Sequence, residues 1–456
     1  MGRPDDRRMI GGNRGGPGTR FRLFPQAPFL HPDRSPEVVY VSSPPGSIGP
    51  GPSDNRLYLI NPPDKRRPYG VSPGPLGTPH IELPPWRGAI PRPVQPGPDG
   101  HFDHIPAGAP EFAEAHVFGV IRFVLDVWER YFGRPIPWHF ARDFRRLEVV
   151  MLPTFDNAHV GYGFMEVGAH HNPDGTLVPF ALNFDVVAHE FGHLIIYATL
   201  GVPNKETEQG EYFGFQESAA DMTALIAALH FEAVIQDLLR DTHGNLYAFN
   251  ELNRFAELSA TTQIRMASNA SKLSEFAAGW EDEHDLSKPL TGALFDILVD
   301  VFQENLVWRG LIGRGLADLG RQVENNPDDA PAIQAAFDAA YPNRERAFRA
   351  ALVEARDYLG AALAETWKRL SPDYFTYADV ARIMLAVDRA LTGGQYRREM
   401  IESFEWRGIG RVTVGPRLAP PGETSHAFSA RTLVPADGER LPRMPYRERY
   451  LLARGM

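Results

Sequence analysis

Three features of the 456-residue sequence predict an α+β fold, with a small mixed α/β lobe followed by a mainly helical one. A helix-periodic apolar run followed by short β-like runs fills residues 106–200. From Glu217 onward the apolar residues recur at helical spacing. The stretch before residue 106 is too rich in Pro and Gly to support long helices or central strands. With 43% hydrophobic and 23% charged residues, the chain is long enough for two or three domains with real cores.

Taken in order, residues 1–105 come first. Twenty-two of the 41 prolines and 15 of the 42 glycines lie in residues 1–100, in runs such as S-P-P-G-S-I-G-P-G-P-S. This composition predicts an extended or disordered arm, a solvated leader wrapped loosely on the domain; a partner-docking or autoinhibitory segment is the functional alternative. The mixed lobe, 106–200, opens with a helix in E-F-A-E-A-H-V-F-G-V-I-R-F-V-L-D-V-W-E-R-Y-F. The β-like runs L-E-V-V-M-L and N-A-H-V-G-Y-G-F-M-E-V follow, then a turn at N-P-D-G, then a helix holding D-V-V-A-H-E-F-G-H. Residues 201–410 read as a helical lobe, with runs such as E-S-A-A-D-M-T-A-L-I-A-A-L and L-T-G-A-L-F-D-I-L-V-D-V-F, and residues 411–456 as a tail.

Composition also narrows function. The first 100 residues hold 13 of the 47 Lys and Arg and 8 of the 57 Asp and Glu. The remaining 356 therefore carry 34 against 49, a net of −15, which argues against a nucleic-acid partner. Cysteine is absent, leaving His, Asp and Glu as the strong metal ligands. No apolar run reaches the length of a membrane span, and the N-terminal stretch has charges but no apolar core of a secretory signal. The expected location is the cytoplasm, or outside the cell by a route without a classical signal peptide.

Within D-V-V-A-H-E-F-G-H, His189 and His193 are one helical turn apart on one face, so both imidazoles can reach a single ion. Glu190 can polarise a water there. Downstream, G-F-Q-E-S-A-A-D puts Glu217 and Asp221 on one face of a second helix. Glu217 can complete a His-His-Glu triad with an open fourth position, and Asp221 can accept the outer N–H of a ligating histidine. Adjacent His170 and His171 point to opposite faces of a strand and read as solvent-exposed polar residues; His230 and His243 read as helix-end or turn residues. Tyr197 and Tyr212 each suit either an oxyanion donor or plain packing.

These segments resemble the gluzincin zinc metallopeptidases, most nearly the thermolysin family. D-V-V-A-H-E-F-G-H is similar to that family's active-site helix, and Q-E-S-A-A-D to its N-E-x-x-S-D segment, with Gln216 in place of Asn. D-N-A-H is similar to the N-N-A motif of an edge strand that holds substrate backbone, which points to Asn157 and Ala158. R-M-A-S-N resembles an arginine segment that contacts a substrate carbonyl, which points to Arg265. E-H-D-L-S resembles a segment whose histidine hydrogen-bonds the tetrahedral intermediate, which points to His284.

The resemblance spans Asp156 to Phe295 and implies a zincin-like metallopeptidase fold, the active-site helix lying between the lobes. It further implies a Zn²⁺ cofactor, a protein or peptide substrate, and peptide-bond hydrolysis with Glu190 as general base. Two alternatives stay open: a gluzincin aminopeptidase, and a non-catalytic zinc-stabilised binding protein.

Overall fold

The computed structural model describes residues 18–28, 34–73, 79–172, 175–247, 254–255, 265–322 and 327–418. In chain order, β1 (Thr19–Leu23) pairs antiparallel with β2 (Glu37–Val41), β3 (Leu57–Ile60) enters the main sheet, and β4 (Gly70–Pro73) pairs with β5 (Pro79–Glu82). The mixed region continues with α1 (Phe112–Phe132), β6 (Leu147–Met151), β7 (Ala158–Gly161), β8 (Phe164–Val167), β9 (Ala169–His171), β10 (Leu177–Pro179) and α2 (Phe184–Thr199).

The rest is almost wholly helical: α3 (Gly210–Ala228), α4 (Glu232–Thr242), the short pair β11 (Arg254–Phe255) and β12 (Arg265–Met266), α5 (Glu283–Trp308), α6 (Arg314–Gln322), α7 (Ala330–Ala340), α8 (Glu345–Trp367), α9 (Tyr377–Thr392) and α10 (Arg397–Trp406). A small-sheet region thus precedes a helical one. Trp128 of α1 stacks on Trp367 of α8 with ring centroids 4.6 Å apart, and the apolar core is continuous from one region to the other. Among the described residues no single helix is long and apolar enough to cross a membrane.

The main sheet has the order β3-β6-β8-β7, parallel except for β7, which runs antiparallel at one edge. Side chains alternate across it. Leu59, Val149, Met165 and Val160 share one face, against which α1 and α2 pack. The other face carries Tyr58, Glu148, Glu166 and His159, polar groups that would cost several kcal/mol if buried unpaired.

Lys65, Tyr69 and Trp86 meet the two carboxylates, and His159 Nε2 lies 2.6 Å from Glu166 Oε2. Glu148 accepts from the hydroxyls of Tyr58 and Tyr69, both at 2.6 Å, and from Trp86 N at 3.1 Å. Glu166 accepts from Tyr69 N at 2.8 Å and lies 3.2 Å from Lys65 Nζ.

For the described residues among 1–105, this corrects the expectation of a loosely wrapped leader. They are extended but packed, with Phe21, Leu23, Val39, Val41, Leu57 and Leu59 in the core. Proline fixes an extended φ that short, edge-lying strands tolerate, so a Pro-rich segment with apolar alternation can cover a sheet without forming a central strand. His116 of α1 ties this segment down: its Nε2 accepts from Phe24 N at 3.0 Å and its Nδ1 donates to Ala181 O at 2.7 Å. Residues 1–17, and the tail beyond Leu418, lie outside the described residues.

Candidate metal centre

The site is built where α2 crosses α3. Asn183 caps α2, its side chain accepting from Asp185 N and Val186 N. Every residue of the helix from Val186 to Tyr197 is buried. Close approach of the helices depends on Gly192, where an added Cβ would lie 2.8 Å from Ala220 Cα. Small residues at this crossing let the side chains one turn away on each helix converge.

His189, Glu190 and His193 form a buried group whose ligand-capable atoms all lie within 4.8 Å of one another, and such a group can hold a metal ion. The outer nitrogen of each ring faces an acceptor. His189 Nδ1 is 2.9 Å from Asp221 Oδ1, and His193 Nδ1 is 3.4 Å from Gln216 Oε1. With the protons on those nitrogens, both Nε2 atoms present lone pairs inward, 3.2 Å apart.

The Glu217 carboxylate closes the triangle, with Oε2 at 3.3 Å from His189 Nε2 and Oε1 at 3.6 Å from His193 Nε2. Tetrahedral ligands bonded at about 2.0–2.2 Å are spaced roughly 3.3–3.6 Å apart, so these three donors fit the coordination edge of a zinc-sized ion. Two lone pairs and a carboxylate turned toward one point suit a cation.

Gln216 and Tyr212 are supporting residues that the sequence did not single out for this role. Gln216 Nε2 donates to Tyr212 Oη at 2.8 Å, and Tyr212 Oη donates to Gly201 O at 2.7 Å. The chain of bonds runs from the loop after α2 through α3 to His193, so Tyr212 braces that imidazole here. Tyr197 packs on the His139 ring, centroids 5.4 Å apart. The signal for Gln216 was its place beside Glu217 on the helix facing α2.

His284 sits in the first turn of α5, whose cap Asp282 accepts from His284 N at 2.7 Å. Its Nδ1 lies 2.9 Å from Glu217 Oε2, so it joins the cluster through the carboxylate. Ala158 opens the edge strand β7, with its N–H donating to Asn157 Oδ1 at 2.8 Å, and α2 packs against that strand. Arg265 begins β12, and its side chain lies outside the described residues.

The other four histidines weighed from the sequence, His170, His171, His230 and His243, have partners of their own. On β9, His170 Nδ1 is 3.2 Å from Asp156 Oδ1, while the exposed His171 is 2.8 Å from Pro153 O. His230, between α3 and α4, is buried 3.0 Å from Tyr131 Oη, and desolvation holds its pKa well below the ordinary value. His243 ends α4 in the left-handed region with φ 51°.

No protein-family model and no curated protein matches the chain. Among solved structures, the precursor of protealysin, a metalloproteinase from Serratia proteamaculans, aligns with it at 12% identity and a TM-score of 0.45, over 77% of this chain and 86% of that one.

Proposed function

We propose that the protein is a zinc-dependent metalloendopeptidase that hydrolyses peptide bonds, with His189, His193 and Glu217 as metal ligands. The observation that carries this reading is the convergence of His189 Nε2, His193 Nε2 and the Glu217 carboxylate at mutual distances of 3.2, 3.3 and 3.6 Å beside the buried Glu190. A bound zinc ion would supply Lewis acidity, polarising a carbonyl and lowering the pKa of water toward about 7.

The chain's own residues do the rest. Asp221 and Gln216 hold the two imidazoles in the tautomer that leaves Nε2 available. Glu190 takes the proton of the attacking water and passes it to the leaving amine, a role that typically contributes 10²–10⁴ in rate. His284 and Arg265 stabilise developing negative charge, where loss of one donor costs roughly 3–4 kcal/mol. Asn157 and Ala158 offer the outer edge of β7 to substrate backbone, and an added strand binds through main-chain hydrogen bonds with little sequence demand.

The test measures zinc stoichiometry and cleavage of a quenched protein substrate by wild type and Glu190→Ala. The expected result is equal zinc content and a loss of cleavage of about 10²-fold or more. Matching cleavage by the zinc-loaded variant would overturn the catalytic assignment. Cleavage confined to free N-termini would indicate an aminopeptidase, and bound zinc without any hydrolysis a structural site.

A further inference from the structure

Residues Thr413–Leu418 run as a strap across the starts of α3 and α5. Gly415 N donates to Phe276 O at 2.8 Å, Trp280 N to Pro416 O at 3.2 Å, and Leu418 N to Trp280 O at 2.7 Å. The backbones approach so closely that glycine is needed on both sides. A Cβ on Gly415 would fall 2.5 Å from Gly279 N, and one on Gly279, whose φ is +144°, would fall 2.5 Å from Leu418 Cγ. On the α3 side, the buried Glu211 in the first turn accepts a backbone hydrogen bond from Val414.

On the α5 side, the strap ends in Arg417. Its guanidinium lies 4.8 Å over the Trp280 ring, and Nη2 is 3.3 Å from Glu283 Oε2. The pair is mostly shielded, with side-chain exposures of 27% and 14%, so it is screened less than a surface ion pair. Glu283 is the residue immediately before His284, whose ring meets the Glu217 carboxylate. The strap therefore touches the first turn of each helix that supplies Glu217 or His284.

We propose that Arg417 is a positioning residue for His284: by holding Glu283 and the first turn of α5, the strap sets where that imidazole stands relative to Glu217. The proposal rests on the peptidase reading for its catalytic consequence, and on the ion pair and strap geometry for the rest. Misplacing a reacting group by about 1 Å can cost up to 10²-fold in rate, so the effect falls on turnover.

The experiment uses the full chain, zinc-loaded, as wild type, Arg417→Ala, Arg417→Lys, Glu283→Gln and the Arg417→Ala/Glu283→Gln double variant. The readouts are the ring ¹H–¹⁵N signals of His284, assigned with His284→Gln, together with zinc content, kcat and KM. The expected result for Arg417→Ala is shifted His284 ring signals, kcat lower by roughly ten- to a hundredfold, and KM and zinc content as in wild type. Arg417→Lys should recover part of the loss, and the double variant should be no worse than either single one.

Unmoved His284 signals in a folded Arg417→Ala protein would overturn the proposal, as would zinc content and melting temperature falling in step with kcat. If that variant does not fold, Glu283→Gln, which keeps the side-chain shape, decides by the same readouts. A wild type without Glu190-dependent hydrolysis would refute the peptidase reading alone, and the ring signals would still decide the strap.

Discussion

Asp221 shows what one residue contributes to the centre. Its carboxylate, 2.9 Å from His189 Nδ1, selects the tautomer whose Nε2 lone pair turns toward Glu217. Asp221→Ala is expected to weaken zinc binding by about 10–100-fold, read by competition with a chromogenic chelator. An affinity unchanged within the error of that titration would show that packing alone orients the ring. Lys65 plays the corresponding part on the far face of the sheet. Its fully buried ammonium lies 3.2 Å from both Glu82 and Glu166 and 3.7 Å from the Tyr69 ring centroid. Lys65→Met leaves Glu166 buried without its cation, and removal of one partner of a buried pair costs about 3–5 kcal/mol. Urea unfolding should show that loss, with partial recovery in Lys65→Met/Glu166→Gln; a variant as stable as wild type would mean that Glu166 does not depend on Lys65 for its pairing, His159 Nε2 lying 2.6 Å away.

Among the elements, the crossing of α2 and α3 matters most, because it converts two local spacings into one site. Each helix alone places a pair of polar residues on one face. Only their close approach at Gly192 and Ala220 brings Glu217 to the two imidazoles. Gly192→Ala puts a methyl group into occupied space, and such overpacking costs typically 1–3 kcal/mol. The variant is expected to melt earlier and to bind zinc more weakly, measured together by calorimetry and chelator competition. Wild-type values for both would show that the crossing can relax without disturbing the two imidazoles and Glu217. The edge position of β7, beside α2, is likewise a property of strand order, which a motif in the sequence can suggest but not establish.

For the whole molecule, two buried groups titrate in opposite senses and shape stability against pH. Burial pushes His116 from its ordinary 6.5 down to about 4, so the fold favours the neutral ring. Its contribution is fully present above about pH 6.5 and is lost as pH falls toward 4. Burial also pushes Glu211 from 4.5 up to about 7, so the fold favours the protonated carboxyl; that contribution is present below about 4.5 and lost as pH rises through 7. Glu211→Gln removes the second dependence. The variant should gain stability relative to wild type as pH rises from 4.5 to 7, in urea titrations across that range. Parallel stability curves for the two proteins would exclude Glu211 as the titrating group.

The sequence by itself determined what depends on local backbone geometry. A period of 3.6 residues puts His189 with His193 and Glu217 with Asp221, and the apolar runs read as helical from Glu217 onward lie in α3, α5, α8 and α9. Three things were decided only in three dimensions: that Lys65, Tyr69 and Trp86 meet the carboxylates on the polar face of the sheet, that His284 meets Glu217, and that the strap at 413–418 bridges α3 and α5. Composition made residues 1–105 look loose because proline density was visible, whereas the buried carboxylates they satisfy lie on strands far along the chain. Contacts of that kind join segments tens to more than a hundred residues apart. They are selected by packing and by the cost of leaving buried charge unpaired, which no periodicity within a segment records.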